Sequence, residues 1–282
     1  MRRKRLQNHY NKFLKPVCLQ PKAICLQPKA VCLTLVLVCL TLIFSSCHGK
    51  KTSSASSDTG ILVVATNSWS AAYALAAGAE KVETIAPFEM VHPSEYELRP
   101  GDIPKLKDAG LIVYAGYEYV TARLKKGLDI PPEKLLQIET GYNYESMEKS
   151  ILKIAVMLGT ENIARENLLE IRRIMDEARK TVEDKGMSGQ PVVVHRMQTS
   201  LVRELGLTPV LVYGPASPEA SEFVAVSKSE APLIIDNMHN PVGQPFKDIL
   251  PGARYIQWMN FPGQKGTKTI TDVIRYNVSL IN

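Results

Sequence analysis

The sequence predicts an α/β protein with two lobes of parallel β-sheet, flanked by helices and joined by one long rigid α-helix. Short apolar runs of strand length occur at Ile61–Ala65, Leu111–Tyr114, Pro191–Val194 and Leu233–Ile235. The segments that precede the later runs can be helical. One long segment, Glu161–Lys185, contains no Gly or Pro and separates the first two runs from the last two.

The runs are continuously apolar, which is typical of strands that are buried on both faces of a parallel sheet. Their alternation with helical stretches predicts an α/β architecture. In the long segment, the apolar positions 163, 164, 168, 171, 174, 175, 178 and 182 recur at helical spacing. About 23 helical residues would span roughly 35 Å, the length of a lobe. A simple amphipathic surface helix would show the same pattern.

The first 46 residues have the features of an export leader. Eight Lys and Arg residues precede Cys47, and no acidic residue occurs before Asp58. The apolar run Val31–Phe44 has the length of a signal-peptide core and is shorter than the roughly 20 residues that span a bilayer. Two serines then precede Cys47, as in lipoprotein signals. We expect an exported protein that is lipid-anchored to a bacterial membrane, on its periplasmic or extracytoplasmic face. A protein with an ordinary signal peptide is the alternative.

The predicted organisation follows from these segments. Residues 1–46 are the signal peptide and residues 47–60 a flexible polar tether. Residues 61–160 form the first α/β lobe, residues 161–186 the connecting helix and residues 187–282 the second α/β lobe.

Charge and cysteine content exclude several classes of protein. The chain has 34 basic and 28 acidic residues, but without the leader the balance becomes 26 against 28, so no nucleic-acid partner is expected. The other four cysteines all lie in the leader, at Cys18, Cys25, Cys32 and Cys39. We therefore expect no disulfide and no thiolate metal site in the remaining chain. We also expect a monomer.

Five segments resemble the zinc/manganese-type (cluster A-I) solute-binding proteins of metal ABC importers. Ile61–Ser70 is similar to the opening strand and turn of that family, and Val82–Pro87 to its second strand. Val91–Tyr114 resembles its most specific stretch, and the long helix resembles its rigid connector. Gln190–Gly206 is similar to the segment that opens its second lobe.

The resemblance implies a receptor that binds a divalent ion between its lobes, with zinc favoured, and delivers it to an ABC permease and ATPase. His195 matches a ligand position of the family directly. The first histidine of the family falls on Ser94, two residues after His92. The second falls near Gly141–Glu145, where there is no histidine, and the carboxylate position falls on Asn260.

The chain offers a different set of candidate ligands. Its three histidines beyond residue 60 follow strand-like runs or lie in a loop expected to face the cleft, and ligand groups of open α/β sheets lie beyond the carboxyl ends of strands. Nitrogen and oxygen ligands suit zinc and related divalent ions. The predicted ligands are His92, His195, His239 and Asp236, with Glu97 and Asn260 as further candidates.

Two alternatives remain open at this stage. The incomplete family ligand set is consistent with a receptor for a metal chelate or a small organic solute. A periplasmic metallohydrolase that uses His92, His195 and Asp236 is a minor alternative. The sequence has no nucleophile elbow, phosphate-binding loop or metalloprotease motif, so no enzymatic activity is predicted.

Overall fold

The computed structural model describes residues 60–281. The predicted leader, its cleavage site at Cys47 and the tether up to residue 59 lie outside the described residues. Within residues 60–281, no helix combines the length and apolar character needed to cross a bilayer.

Two four-stranded sheets form the framework of the described region, and all neighbouring strands are parallel. The strand orders are β2-β1-β3-β4 and β6-β5-β7-β8, so the second sheet repeats the topology of the first. The strands are β1 (Leu62–Ala65), β2 (Lys81–Thr84), β3 (Leu111–Tyr114), β4 (Leu135–Gln137), β5 (Pro191–His195), β6 (Thr208–Tyr213), β7 (Leu233–Asn237) and β8 (Arg254–Trp258).

Helices cover both sheets and connect them. The α-helices are α1 (Ser68–Ala76), α2 (Asp102–Asp108), α3 (Thr121–Lys125), α4 (Tyr144–Leu158), α5 (Glu161–Asp184), α6 (Thr199–Glu204), α7 (Ala220–Ser227), α8 (Phe246–Ile249) and α9 (Ile270–Ser279). Short 3₁₀ turns lie at Pro93–Glu95, Pro132–Lys134 and Arg196–Gln198. The predicted fold class, two parallel lobes joined by one long helix, is confirmed.

The strands that the apolar runs predicted are β1, β3, β5 and β7, which occupy the centres of the two sheets. The runs did not predict β4, β6 or β8, which are all edge strands. An edge strand needs fewer apolar residues and tolerates proline, because one side of its backbone has no partner strand. Accordingly, β6 contains Pro209, and the register of β5 and β6 is irregular between Val192 and Val193.

The connecting helix α5 packs against both lobes. Its buried side chains belong to one apolar cluster that also contains Val63 of β1 and Val192 of β5. The C-terminal helix α9 packs on α5. Gly186 follows the helix with a φ of 67°, a left-handed conformation that favours glycine and stops the helix. The buried residues of α5 are Ala164, Leu168, Ile171, Ile174, Met175, Ala178 and Val182.

A second apolar cluster covers the other face of each sheet. In the first lobe it contains Val64 and Ile112, and in the second lobe Val193 and Ile234. Successive residues of a strand point to opposite faces, so the central strands are buried on both sides. This burial explains why their sequences are continuously apolar.

Helix α5 provides a direct test of the shared core. Ile174 is 2% exposed, whereas Leu169 on the same helix is 71% exposed. We expect Ile174→Ala to lower the free energy of unfolding by about 2–5 kcal/mol, because it leaves a cavity in the core. Leu169→Ala should change it by less than about 0.5 kcal/mol. Urea unfolding of both variants measures the difference, and equal effects would contradict this packing.

Candidate functional site

The loops that follow the carboxyl ends of the two sheets meet between the lobes. Ser68 at the start of α1 donates a hydrogen bond to the carbonyl oxygen of Pro262 at 2.6 Å. Gln264 donates through Nε2 to the carbonyl oxygen of Glu89, also at 2.6 Å. At Gly263, an added Cβ would lie 2.3 Å from the carbonyl oxygen of Phe88, so only glycine permits this approach of the lobes.

Aromatic rings fill the space beside these contacts. The ring of Trp69 stacks on Tyr142 with the centroids 5.9 Å apart, and it lies 6.1 Å from the ring of Phe261. Phe261 in turn stacks on the imidazole of His239 at 3.8 Å, with 16° between the planes. Trp69 and Tyr142 come from the first lobe, and the other two residues come from the second. We call these four residues and Asn260 the interlobe cluster.

His239 is held in a defined orientation within the interlobe cluster. It follows β7 and is 3% exposed. Its Nδ1 lies 2.7 Å from Oδ1 of Asn260, and because an amide oxygen only accepts, Nδ1 carries the ring proton. Its Nε2 therefore has a free lone pair, and this buried atom has no hydrogen-bond partner within residues 60–281.

Burial also keeps His239 neutral. Desolvation lowers the pKa of His239 to about 4, the hydrogen bond to Asn260 opposes this shift, and the charge of His92 lowers the pKa further. His92 is exposed and immediately precedes the 3₁₀ turn at Pro93–Glu95. A positive charge on His92 therefore opposes protonation of His239.

Glu97 lies elsewhere on the first lobe. It is exposed and lines a small cavity of about 120 Å³ together with Tyr119 and Arg123. None of the residues of the interlobe cluster lines this cavity.

His195 points away from the interlobe cluster. Strand alternation places it on the same face of β5 as Val193, where its ring meets Tyr213 edge-on at 5.5 Å. Its Nδ1 accepts a hydrogen bond from the Met197 backbone N–H at 3.2 Å. The proton is then on Nε2, which faces Gly214 so closely that a Cβ there would lie 2.5 Å away. Desolvation lowers the pKa of His195, and the charge of Asp236 opposes this shift.

Asp236 is fully buried in the same layer of the second lobe. Its Oδ1 accepts from the Asn237 backbone N–H at 2.8 Å. Its Oδ2 accepts from the Gly243 backbone N–H at 2.8 Å and from the Tyr255 hydroxyl at 2.6 Å. Both oxygens are thus occupied by donors of the protein itself.

The structure therefore divides the predicted ligand set. Over residues 60–281, no three His, Cys, Asp or Glu side chains converge in a way that could hold a metal ion. The predicted ligands His92, His195, His239 and Asp236 thus do not form one cluster within the described residues, and metal binding by any of them stays a prediction. His239 lies between the lobes, whereas His195 and Asp236 lie inside the second lobe. Asn260 supports His239 through a hydrogen bond.

The sequence reasoning missed one buried carboxylate in the first lobe. Glu118 accepts hydrogen bonds from the Thr66 hydroxyl at 2.6 Å and from the backbone N–H groups of Ala115 and Gly116 at 2.9 and 2.7 Å. Asn67 also donates to it, at 3.1 Å. Glu118 thereby holds the loop that leads to Ser68 and the other lobe. The only available signal was its position in the loop after β3.

Comparisons with solved structures identify the architecture. The laminin-binding protein of Streptococcus agalactiae, described as a bifunctional protein with adhesin and metal-transporting activity, matches with a TM-score of 0.60 and 16% identity, over 79% of this chain and 98% of that chain. A manganese-bound periplasmic metal-binding protein from Candidatus Liberibacter asiaticus matches with a TM-score of 0.60 and 16% identity, over 78% and 98%. The chain has the solute-binding-protein fold.

The AdcAII protein of Streptococcus pneumoniae shares this solute-binding fold, with a TM-score of 0.59 and 15% identity over 79% of this chain and 98% of that chain. A variant of AdcAII is also known with zinc bound. These neighbours are described as adhesin, metal-transporting or metal-binding proteins and not as enzymes. No protein-family model and no curated protein sequence matches the chain.

The buried neutral state of His239 predicts a pH dependence of stability. Its folded pKa of about 4 lies below the ordinary value of about 6.5, so the unfolded chain binds more protons between these values. Stability should therefore fall as the pH falls from about 6.5 to 4, by on the order of 3 kcal/mol from this residue.

Urea unfolding of the chelator-treated protein at a series of pH values measures this slope. His239→Gln should flatten the curve, and a smaller slope should remain because the pKa of His195 is also lowered. Identical slopes in the wild type and the variant would show that His239 is not buried as described.

Proposed function

We propose that the chain is the exported solute-binding lipoprotein of a cluster A-I metal ABC importer. Its cargo is a divalent transition metal ion, with zinc favoured over manganese or iron, and the ion binds between the lobes. The solute-binding fold, the leader ending at Cys47 and the metal-binding neighbours all support this proposal. A monomeric receptor would deliver the ion to its permease and ATPase partners.

The observation that carries the proposal is the state of the His239 ring. Metal-binding histidines commonly donate one ring N–H to an oxygen, which fixes the tautomer and directs the other nitrogen to the ion. His239 has this arrangement, since Asn260 holds Nδ1 and the lone pair of Nε2 is buried and unpartnered. With a pKa of about 4 for His239, no proton competes for that lone pair near neutral pH.

His92 is the proposed second ligand. It belongs to the first lobe, and its charge acts on His239 in the second lobe, so an ion between them would join the two lobes. Zinc is usually four-coordinate. The remaining positions would be filled by water, by a small anion, or by Glu97 or Asn260 after rearrangement. A small rocking of one lobe against the other would move the ligands apart and release the ion.

We assign His195 and Asp236 to the interior of the second lobe rather than to the cargo. Nδ1 of His195 accepts a backbone hydrogen bond, and its Nε2 faces Gly214. Both oxygens of Asp236 bind protein donors. The same contacts argue against a metallohydrolase built on His92, His195 and Asp236, because two of these three residues would have to lose their present partners.

The aromatic rings of the interlobe cluster favour one alternative cargo, a metal chelate or a small organic solute. Trp69 and Tyr142 each have a buried polar atom, Nε1 and the hydroxyl oxygen, with no hydrogen-bond partner in the described residues. A chelator could bind these atoms while its metal binds His239. Binding of zinc alone would support the ion as cargo, whereas binding only in the presence of citrate would support the chelate.

Metal titration tests the ligand assignment. Calorimetry and elemental analysis of the full-length protein should show one zinc ion per chain. His239→Gln should abolish the binding because it removes the free lone pair, and Asn260→Ala should weaken it by about 10- to 100-fold. His195→Gln is the matched control and should bind zinc like the wild type. The assignment fails if the wild type binds no zinc, or if His195→Gln loses zinc and His239→Gln keeps it.

The membrane anchor is tested separately. Cys47→Ser removes the thiol that would be lipidated, and a single pair of acyl chains accounts for the predicted attachment. In a bacterial host, the wild-type protein should sediment with membranes and incorporate labelled palmitate, whereas the variant should do neither. Lipid labelling that persists in Cys47→Ser would exclude this anchor.

A further inference from the structure

One side chain, that of Asp236, accepts hydrogen bonds from both ends of the loop that carries His239. Asn237 begins this loop and Gly243 ends it. Oδ1 of Asp236 accepts from the Asn237 backbone N–H, and Oδ2 accepts from the Gly243 backbone N–H, both at 2.8 Å. A single carboxylate thus fixes the distance between the two ends of a seven-residue loop.

One tyrosine hydroxyl holds this carboxylate in place, and a second tyrosine packs against the end of the loop. The Tyr255 hydroxyl donates to Oδ2 at 2.6 Å from the neighbouring strand β8. The ring of Tyr213 lies against Gly243, where an added Cβ would be 2.1 Å from its hydroxyl oxygen, so no larger residue fits. A buried carboxylate is costly unless its oxygens are hydrogen-bonded. The hydrogen bonds from Asn237, Gly243 and Tyr255 compensate for the burial of Asp236.

Further contacts leave the loop little freedom. The Met238 backbone N–H donates to the carbonyl oxygen of Trp258 at 2.8 Å. Asn240 donates through Nδ2 to the carbonyl oxygen of Pro215, also at 2.8 Å. The His239 backbone N–H donates to Oδ1 of Asn237 at 3.2 Å. The backbone on both sides of His239 is therefore fixed from within the second lobe, independently of the first.

We propose that Asp236, supported by Tyr255, is a positioning residue that closes the loop 237–243 and thereby directs Nε2 of His239 between the lobes. The role rests on the proposed function, because it serves a cargo ligand. It replaces direct metal ligation as the role of Asp236. Loss of the closure would let the loop relax, so that the imidazole no longer keeps its hydrogen bond to Asn260.

Tyr255→Phe tests the role with little risk to folding, since it removes one hydroxyl from a partly buried ring. In the full-length, cargo-free protein, hydrogen exchange of the Gly243 amide should become at least about tenfold faster, because the carboxylate loses a charge-assisted hydrogen bond. The ¹⁵N chemical shifts of the His239 ring should move from the values of a single tautomer to averaged values that indicate a mixture of the two tautomers. Zinc affinity should fall by about tenfold.

Tyr276→Phe is the matched control. It removes the hydroxyl of a half-buried tyrosine of the same lobe, which takes part in none of the contacts of Asp236 or of the loop 237–243, and it should change none of the three readouts. Asp236→Asn, as the stronger variant, should change all three by more than Tyr255→Phe does.

The outcomes separate this role from the proposed function. Unchanged Gly243 exchange and an unchanged His239 tautomer in Tyr255→Phe would overturn the positioning role, whatever the zinc affinity. If the wild-type protein binds no zinc, and Tyr255→Phe still changes the Gly243 exchange and the His239 tautomer, the positioning role is supported and the metal cargo is refuted.

Discussion

One apolar core connects the two lobes, and the rest of the structure depends on it. The core contains one face of the first sheet, with Val63, the buried side of α5, and one face of the second sheet, with Val192. Because protein cores pack densely, two lobes that share one core cannot separate freely. Movement between them is limited to small rocking or shear. The loops at the carboxyl ends of the strands consequently stay close together, which allows one site to take groups from both lobes.

The two lobes hold these loops in place in similar ways. Each sheet has the same strand order, and each has a buried carboxylate in or next to the loop after a central strand, Glu118 after β3 and Asp236 in β7. Each carboxylate accepts hydrogen bonds from backbone N–H groups of the loop that follows a central strand, β3 or β7. The proposed cargo ligand His239 therefore stands on a loop that is already ordered, so that binding costs little conformational entropy.

The sequence predicts the parts of the fold that local pattern determines. The central strands are apolar because both their faces are covered, and α5 shows helical periodicity because one side is buried. The edge strands lack such a pattern, and β6 even contains Pro209. For the site, the sequence predicted ligands after β5, β7 and β8, and the structure brings together His239, Asn260 and Phe261 from the loops after β7 and β8. Strand alternation places His195 on the face of Val193, away from α5, whereas the family resemblance had predicted it as a ligand between the lobes. The pairing of His239 with Asn260 and Phe261, and the role of Glu118, depend on tertiary contacts that no local pattern encodes.

The central claim is that cargo binds to Nε2 of His239 between the lobes. Crystals of the protein grown with zinc, measured above and below the zinc absorption edge, test it most directly. The account predicts one anomalous peak about 2.0–2.1 Å from Nε2 of His239, with His92 on its opposite side. A peak bound by His195 and Asp236 inside the second lobe, or no peak in crystals soaked to saturation, would contradict it.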